Sequence, residues 1–304
     1  MQNPRMLDLS TNLEAPEIYP GENADVGPQH ILKAGAPRKT WLEVVADSQY
    51  FYSDNLLLSD KGKQDGAIFV NTIQAAFAPE AFALGSGKMA VAVGFRSQWF
   101  NYGLDGSGSG GTNGSGLNRL DFNAQTAFAT ARYQFGNWQV YSEFDFTRLL
   151  SQPNYVESYR EYVPSLGLQR VFPISDKLIL SAGASVGYHW TETPRLTHQP
   201  TFVNDRFDAS ILLSASWEPI RKLVIQPMYR FQFTDYPHFT DTTSIPKTRQ
   251  DQINTFGLTT TYYFTKNISA RVFANYEIRL NDYSAVYTYH KFDGGGGLGL
   301  DIRF

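Results

Sequence analysis

From Trp41 to the last residue, apolar and polar side chains alternate with a period of two, in segment after segment. A period of two is the signature of strands with one face turned from the other, and it leaves no room for an amphipathic helix. Twelve segments carry it: 41–54, 66–78, 88–101, 119–134, 137–148, 157–172, 177–191, 206–218, 222–234, 252–264, 267–280 and 294–304. The clearest sets Leu178, Leu180, Ala182, Ala184, Val186, Tyr188 and Trp190 against Ser181, Gly183, Ser185, Gly187 and His189. In the fourth, Leu120, Phe122, Ala124 and Phe128 form the apolar face, with Arg119, Asp121, Asn123 and Gln125 opposite. The second is ambiguous: Phe69, Ile73 and Phe77 oppose Thr72 and Gln74, but Ile68 and Val70 fall on the polar side. Pro164 and Pro227 lie inside segments and cannot donate to a ladder, so a bulge or a weakened ladder is expected at each.

The connections alternate as well. "QFGNW", "FPISDK", "EPIRK" and "FTKN" are short turns, and the linkers between them in sequence are long. One connection breaks the rule: "PEAFALGSGK", between the second and third segments, is long where a short turn is due. Twelve antiparallel neighbours in an open sheet would leave two long unpaired edges, and closure into a barrel removes both. The expected fold is all-β: a twelve-stranded antiparallel up-and-down barrel over residues 40–304, preceded by an irregular segment, 1–39, rich in Pro, Gly and acidic residues.

Alternation alone does not say which face points inward. A soluble sandwich or barrel would bury the apolar side; a membrane barrel exposes it to lipid. Three features favour the membrane. The polar face carries Gly, Ala and Ser beside its charges, which suits a crowded concave wall. Tyr50, Tyr52, Trp99, Trp138, Tyr188, Trp190, Trp217 and Tyr262 sit towards the ends of apolar faces, as interfacial girdles do. Short turns on one rim and long loops on the other are the outer-membrane arrangement. Aromatics make up 15% of the chain, yet no apolar run reaches the 18 or so residues a membrane helix needs, so any crossing must be made by strands.

On these segments, and on the terminal alternation Leu298, Leu300, Ile302, Phe304, the chain resembles bacterial outer-membrane β-barrels of the porin type. The resemblance implies a bacterial outer membrane, outer-membrane lipid around the wall, and both termini and the short turns in the periplasm. It also implies that the barrel assembly machinery reads the last strand during biogenesis, and that this strand pairs with the first. "SQYFYSDNLLL" is similar to the first strand of some barrels linked to exopolysaccharide export. "MQNPRMLDLS" has no charged and then apolar leader, so the expectation is a mature form without its signal peptide.

For function, a channel for small hydrophilic solutes or saccharides is the first reading. Its expected lumen-lining charges are Glu43, Asp47, Arg96, Arg119, Asp121, Glu143, Asp145, Glu161, Asp208, Arg230, Arg271, Glu277, Arg279, Asp301 and Arg303. Both signs are present, and no basic track of the kind that would select acidic oligosaccharides stands out. The bland alternative is a self-neutralising network that fills the barrel, which would then anchor a larger envelope complex. Residues 1–39 could plug the barrel or bind a periplasmic partner. An enzyme is not expected: of the five histidines only His189 lies on a segment, facing the polar side, and no Ser/His spacing suggests a lipid-acting pair. No cofactor or metal site is expected, Cys is absent, and a net charge of −3 without a basic block excludes a nucleic-acid partner. "GSGSGG" (Gly106 to Gly111) fits a nucleotide-binding pattern only in letters, since no helix follows it. His238, Asp235 and Asp241 read as a solvated loop. Gly295, Gly297 and Gly299 leave the last segment bare on its polar side, and the expectation is that a plug, a loop or open water faces them.

Overall fold

A computed structural model of the protein describes residues 41–58, 63–102, 120–152, 154–192, 204–238, 249–282 and 288–304. The segment 1–39, Arg119, Asp241 and the Gly106–Gly111 stretch lie outside the described residues. Among the described residues thirteen strands form one sheet: β1 (Leu42–Ser53), β2 (Gly66–Phe77), β3 (Phe82–Leu84), β4 (Gly87–Tyr102), β5 (Phe122–Phe135), β6 (Trp138–Ser151), β7 (Val156–Ser175), β8 (Leu178–Glu192), β9 (Arg206–Ile220), β10 (Leu223–Tyr236), β11 (Arg249–Tyr263), β12 (Ile268–Asn281) and β13 (Tyr289–Arg303).

Each long strand pairs antiparallel with its sequence neighbours, β2 reaches past β3 to β4, and β13 returns to β1. The twelve long strands therefore close into a barrel, the arrangement that satisfies every ladder group without water. At the seam, Glu43 faces Arg303 and Ser53 faces Asp293. Beyond the strand ends, the Phe304 carbonyl accepts from Trp41 N (2.9 Å) and Phe304 N donates to Leu42 O (2.9 Å).

The connection that broke the short–long rule proves to be short. β3 continues the line of β2 along β4: Phe77 is opposite Val93, and Phe82 opposite Met89. Five steps on one strand match four on the other, so the 78–81 break, at Pro79, is a one-residue bulge. The true turn is Gly85-Ser86. Gly85 has φ 56°, as does Gly136 in the β5–β6 turn, each at the first of two loop positions, where a type II′ hairpin calls for glycine. Asp176-Lys177 and Arg221-Lys222 close two more tight turns; the Ser175 hydroxyl accepts from the main chain of Lys177 and Leu178. At Thr265 the hydroxyl does the same for Asn267 and Ile268.

The two strand prolines act as expected of a weakened ladder. The β7–β8 pairing passes from Tyr162 to Ser165 without registering Pro164, and the β9–β10 pairing passes from Ile225 to Met228 without Pro227. The register is the same on both sides of each gap. Real register shifts lie elsewhere, at Leu149/Leu150, Pro173/Ser175 and Leu223/Ile225.

Outside, the wall is an apolar belt: Ile73, Phe95, Leu166, Ile211, Phe256, Val272 and Leu298 are all exposed. Inside, side chains are mostly polar and buried. β2 resolves its own ambiguity by turning Ile68 and Val70 inward beside Thr72 and Gln74.

β5 reverses the sequence expectation. Phe122, Ala124 and Phe128 point into the barrel, and Asn123 and Gln125 point out. The strand must follow the parity of the neighbours it pairs with: Gln98 meets Ala124, Gly94 meets Phe128, and Asp145 meets Phe128 from the other side. Phe122 stacks on Phe100, with ring centroids 4.4 Å apart. The Phe128 ring covers Gly94, where a Cβ would lie 2.4 Å from its Cζ. The outward polar groups are satisfied along the wall: Asn123 donates to Ser97 Oγ and Gln98 O, Gln125 donates to Asn123, and Arg148 donates twice to Gln125.

Candidate functional site

The lumen is built in two unlike halves. On the side of β1, β2, β4, β5, β6 and β12, towards the long-loop rim, it is filled by an apolar cluster that includes Phe51, Leu56, Ile68, Val70, Phe100, Tyr102, Phe122, Leu149 and Phe273. Tyr159 and Leu120 pack against it.

Around the seam, β13 is kept bare, and its neighbours close over it. Gly295 lies directly between Phe51 and Phe273, whose rings meet edge to face at 5.7 Å. One step on, Arg271 on β12 reaches across Gly297 and Gly299 to Asp47 on β1, Nη2 to Oδ1, at 2.7 Å. The expectation that a plug, a loop or water would face these glycines is therefore corrected. A Cβ at Gly295 would stand 2.3 Å from Phe51 Cβ, and one at Gly297 2.7 Å from Ser48 O. The stripe is a trough that lets β1 and β12 clasp over β13.

Further networks fill the wall. At the short-turn rim, Arg303 pairs with Glu43 (2.9 Å) and Asp301 (3.1 Å). Near the opposite rim, the fully buried Asp251 takes Arg249 at 2.8 Å, together with Arg279 and Asn281. Arg279 also reaches the Tyr236 hydroxyl, and Glu277 accepts from Tyr289 at 2.7 Å. Between β7, β8 and β9, His189 Nδ1 lies 3.1 Å from Glu161 and Nε2 lies 3.0 Å from Asp208. Arg206, fully buried, sits 2.8 Å from the same Nδ1. With both ring nitrogens taken by carboxylates, His189 has none to turn on a serine hydroxyl.

The other half of the lumen, along β5 to β10, holds a cavity of about 170 Å³. Its long wall is kept low by Gly183, Ser185, Gly187 and Ser210, with Ser185 and Ser210 hydroxyls 2.8 Å apart. Arg132, Glu143, Asp145, His189, Asp208 and Arg230 also border it. Arg230 is 6% exposed, and its Nε and Nη2 have no hydrogen-bond partner among the described residues. The geometry offers a polar, water-sized-to-solute-sized space with charges of both signs.

Among solved structures, an outer-membrane channel from Pseudomonas putida F1 matches with a TM-score of 0.55 at 10% identity, covering 88% of this chain and 97% of that one. The fold is that of an outer-membrane β-barrel. The β domain of the Bordetella autotransporter BrkA matches at 0.48 and 10% identity, over 86% of this chain and 100% of that one. A bacterial polysaccharide outer-membrane secretin matches at 0.45 and 13% identity, over 88% and 100%. No protein-family model and no curated protein sequence matches the chain. At such identities the likeness speaks for the fold alone.

Of the charges expected in the lumen of this barrel, Glu43, Asp47, Arg96, Glu143, Asp145, Glu161, Asp208, Arg230, Arg271, Glu277, Arg279, Asp301 and Arg303 stand at inward register positions. The fold joins Asp47 to Arg271 and Glu43 to Arg303 and Asp301, and gathers Glu143, Asp145, Asp208 and Arg230 on one cavity. Asp121 is a correction. It shares the outward parity of Asn123, and its carboxylate accepts from Tyr102 N (2.8 Å) and Asn101 Nδ2 (3.5 Å), tying down the end of β4 at the rim. Six inward residues went unnoticed: Arg132, Arg206, Arg249, Asp251, and Lys291 with Asp293, the last two paired at 3.2 Å. Asp251 and Asp293 lie one residue, and Arg249 and Lys291 three residues, before their segments at the inward parity; Arg206 opens its own segment, and Arg132 was hidden by the reversed parity of β5.

Proposed function

We propose that the protein sits in a bacterial outer membrane, with its apolar belt against lipid, and acts as a narrow channel for small hydrophilic solutes or short saccharides. An exposed apolar belt closed all the way round has no stable place in water. The observation that carries the channel reading is the one-sided cavity, where Gly and Ser on β8 and β9 keep a polar path open while the other half is packed. Both signs of charge on that path fit a polar solute better than a strongly charged one.

A second reading rests on the apolar cluster and the ion pairs: a filled barrel that anchors an envelope complex. Planar-bilayer conductance of the purified chain, with and without residues 1–39, separates the two. The channel reading expects current from the full chain, or from the truncated form alone if the segment is a plug. Silence in both forms would sink it and leave the anchor.

A further inference from the structure

One arginine on the cavity, Arg230, has no ion-pair partner among the described residues. Arg230 stands on β10 at an inward position, 94% covered, and neither its Nε nor its Nη2 has a hydrogen-bond partner. Among the described residues no carboxylate comes within ion-pairing distance of it. Arg206, Arg249, Arg271, Arg279 and Arg303, by contrast, each reach a carboxylate. A buried guanidinium left alone is costly, so a fold retains one where something anionic completes it. Arg230 borders the 170 Å³ cavity, and planar, two-point recognition of a carboxylate is what a guanidinium does best.

The rest of the lining carries both signs: Glu143, Asp145 and Asp208 border the same space beside Arg132 and His189, and Asp208 Oδ1 has no hydrogen-bond partner among the described residues. A molecule with a carboxylate at one end and an ammonium at the other satisfies both walls. The size also fits: an apolar cavity of about 150 Å³ accepts a benzene-sized molecule, so six or so heavy atoms are accommodated. We propose that this cavity is a binding site for a small zwitterion of the amino-acid type, its carboxylate on Arg230 and its ammonium towards the acidic side. The proposal deepens the channel reading by naming the class of solute that dwells on the path.

The test is isothermal titration of the folded full chain in detergent with three probes: L-alanine (both charges), propionate (carboxylate alone) and ethylammonium (ammonium alone). Saturable binding of L-alanine is expected, with propionate and ethylammonium each at least tenfold weaker. Arg230→Gln should weaken L-alanine at least tenfold, and Arg230→Lys should recover part of the loss. Arg170→Gln, on the outer surface, should leave it unchanged. Heat-modifiable gel mobility verifies that each variant is folded. Equal binding by Arg230→Gln, equal binding of propionate, or no saturable binding by the folded wild-type barrel would each overturn the proposal. Conductance is read separately. A chain that binds L-alanine but passes no current keeps the site and loses the channel; a chain that conducts equally with and without Arg230 and binds no probe does the reverse.

Discussion

At the residue scale, the glycines of β13 carry the most consequence. Gly295 has Phe51 Cβ and Tyr50 O each 2.3 Å from where its own Cβ would be, and both atoms are held by strand pairing. Gly295→Leu should therefore push β1 and β13 apart, costing about 1–3 kcal/mol as overpacking does elsewhere. Gly294→Ala meets only the exposed Phe292 ring, at 3.1 Å, which can swing into lipid, and should change little. Reversible urea unfolding in phospholipid vesicles, followed by tryptophan fluorescence, measures both. The same assay tests the clasp above the glycines. Asp47 and Arg271 are 2% and 10% exposed in their side chains, so Asp47→Leu strands a buried cation and should cost about 3–5 kcal/mol. Replacing both by leucine should restore much of that. If the double variant is as unstable as the sum of the two singles, the pair is not coupled and the clasp is an accident of proximity.

At the element scale, β5 shows how neighbours overrule a strand's own pattern. Phe122 joins an apolar cluster that Phe100, Phe51 and Leu149 already form inside the barrel, and Phe128 follows the same parity to cover Gly94. Labelling decides the orientation directly. A fluorophore on Ala129→Cys should be quenched by spin-labelled lipid and shielded from iodide; one on Thr130→Cys should behave oppositely. Reversal of that result would return Phe122 and Phe128 to the lipid. The turns obey a more local rule. Gly85 and Gly136 hold φ 56°, so alanine at either should cost on the order of 1 kcal/mol in the same unfolding assay, while asparagine should cost less.

At the scale of the whole molecule, the lumen is divided into a packed half and a polar cavity, and the proposed channel runs through the second. Ser185 faces the cavity and its neighbour Val186 faces out, 44% exposed. Ser185→Trp should cut single-channel current several-fold, since an indole fills a large share of 170 Å³, and Val186→Trp should leave it within experimental scatter. Equal effects of the two would place the current somewhere other than this cavity.

Strands, closure and the two rims were legible in the chain because period-two alternation and turn chemistry are local: each residue reports its own face, and Gly-Asn or Asp-Lys reports its own turn. The seam was legible too, since a barrel must join its last strand to its first. Most lumen charges followed from the same parity, as Asp47, Glu277 and Arg303 show. What the chain could not reveal is what depends on contact between strands distant in sequence. Only the closed barrel sets Phe51 beside Phe273 over Gly295, turns Phe122 and Phe128 inward, sends Asp121 to the rim, and leaves Arg230 without a carboxylate. Alternation assigns two faces; which side chains share a face is decided by register and curvature, and those exist only once the sheet has closed.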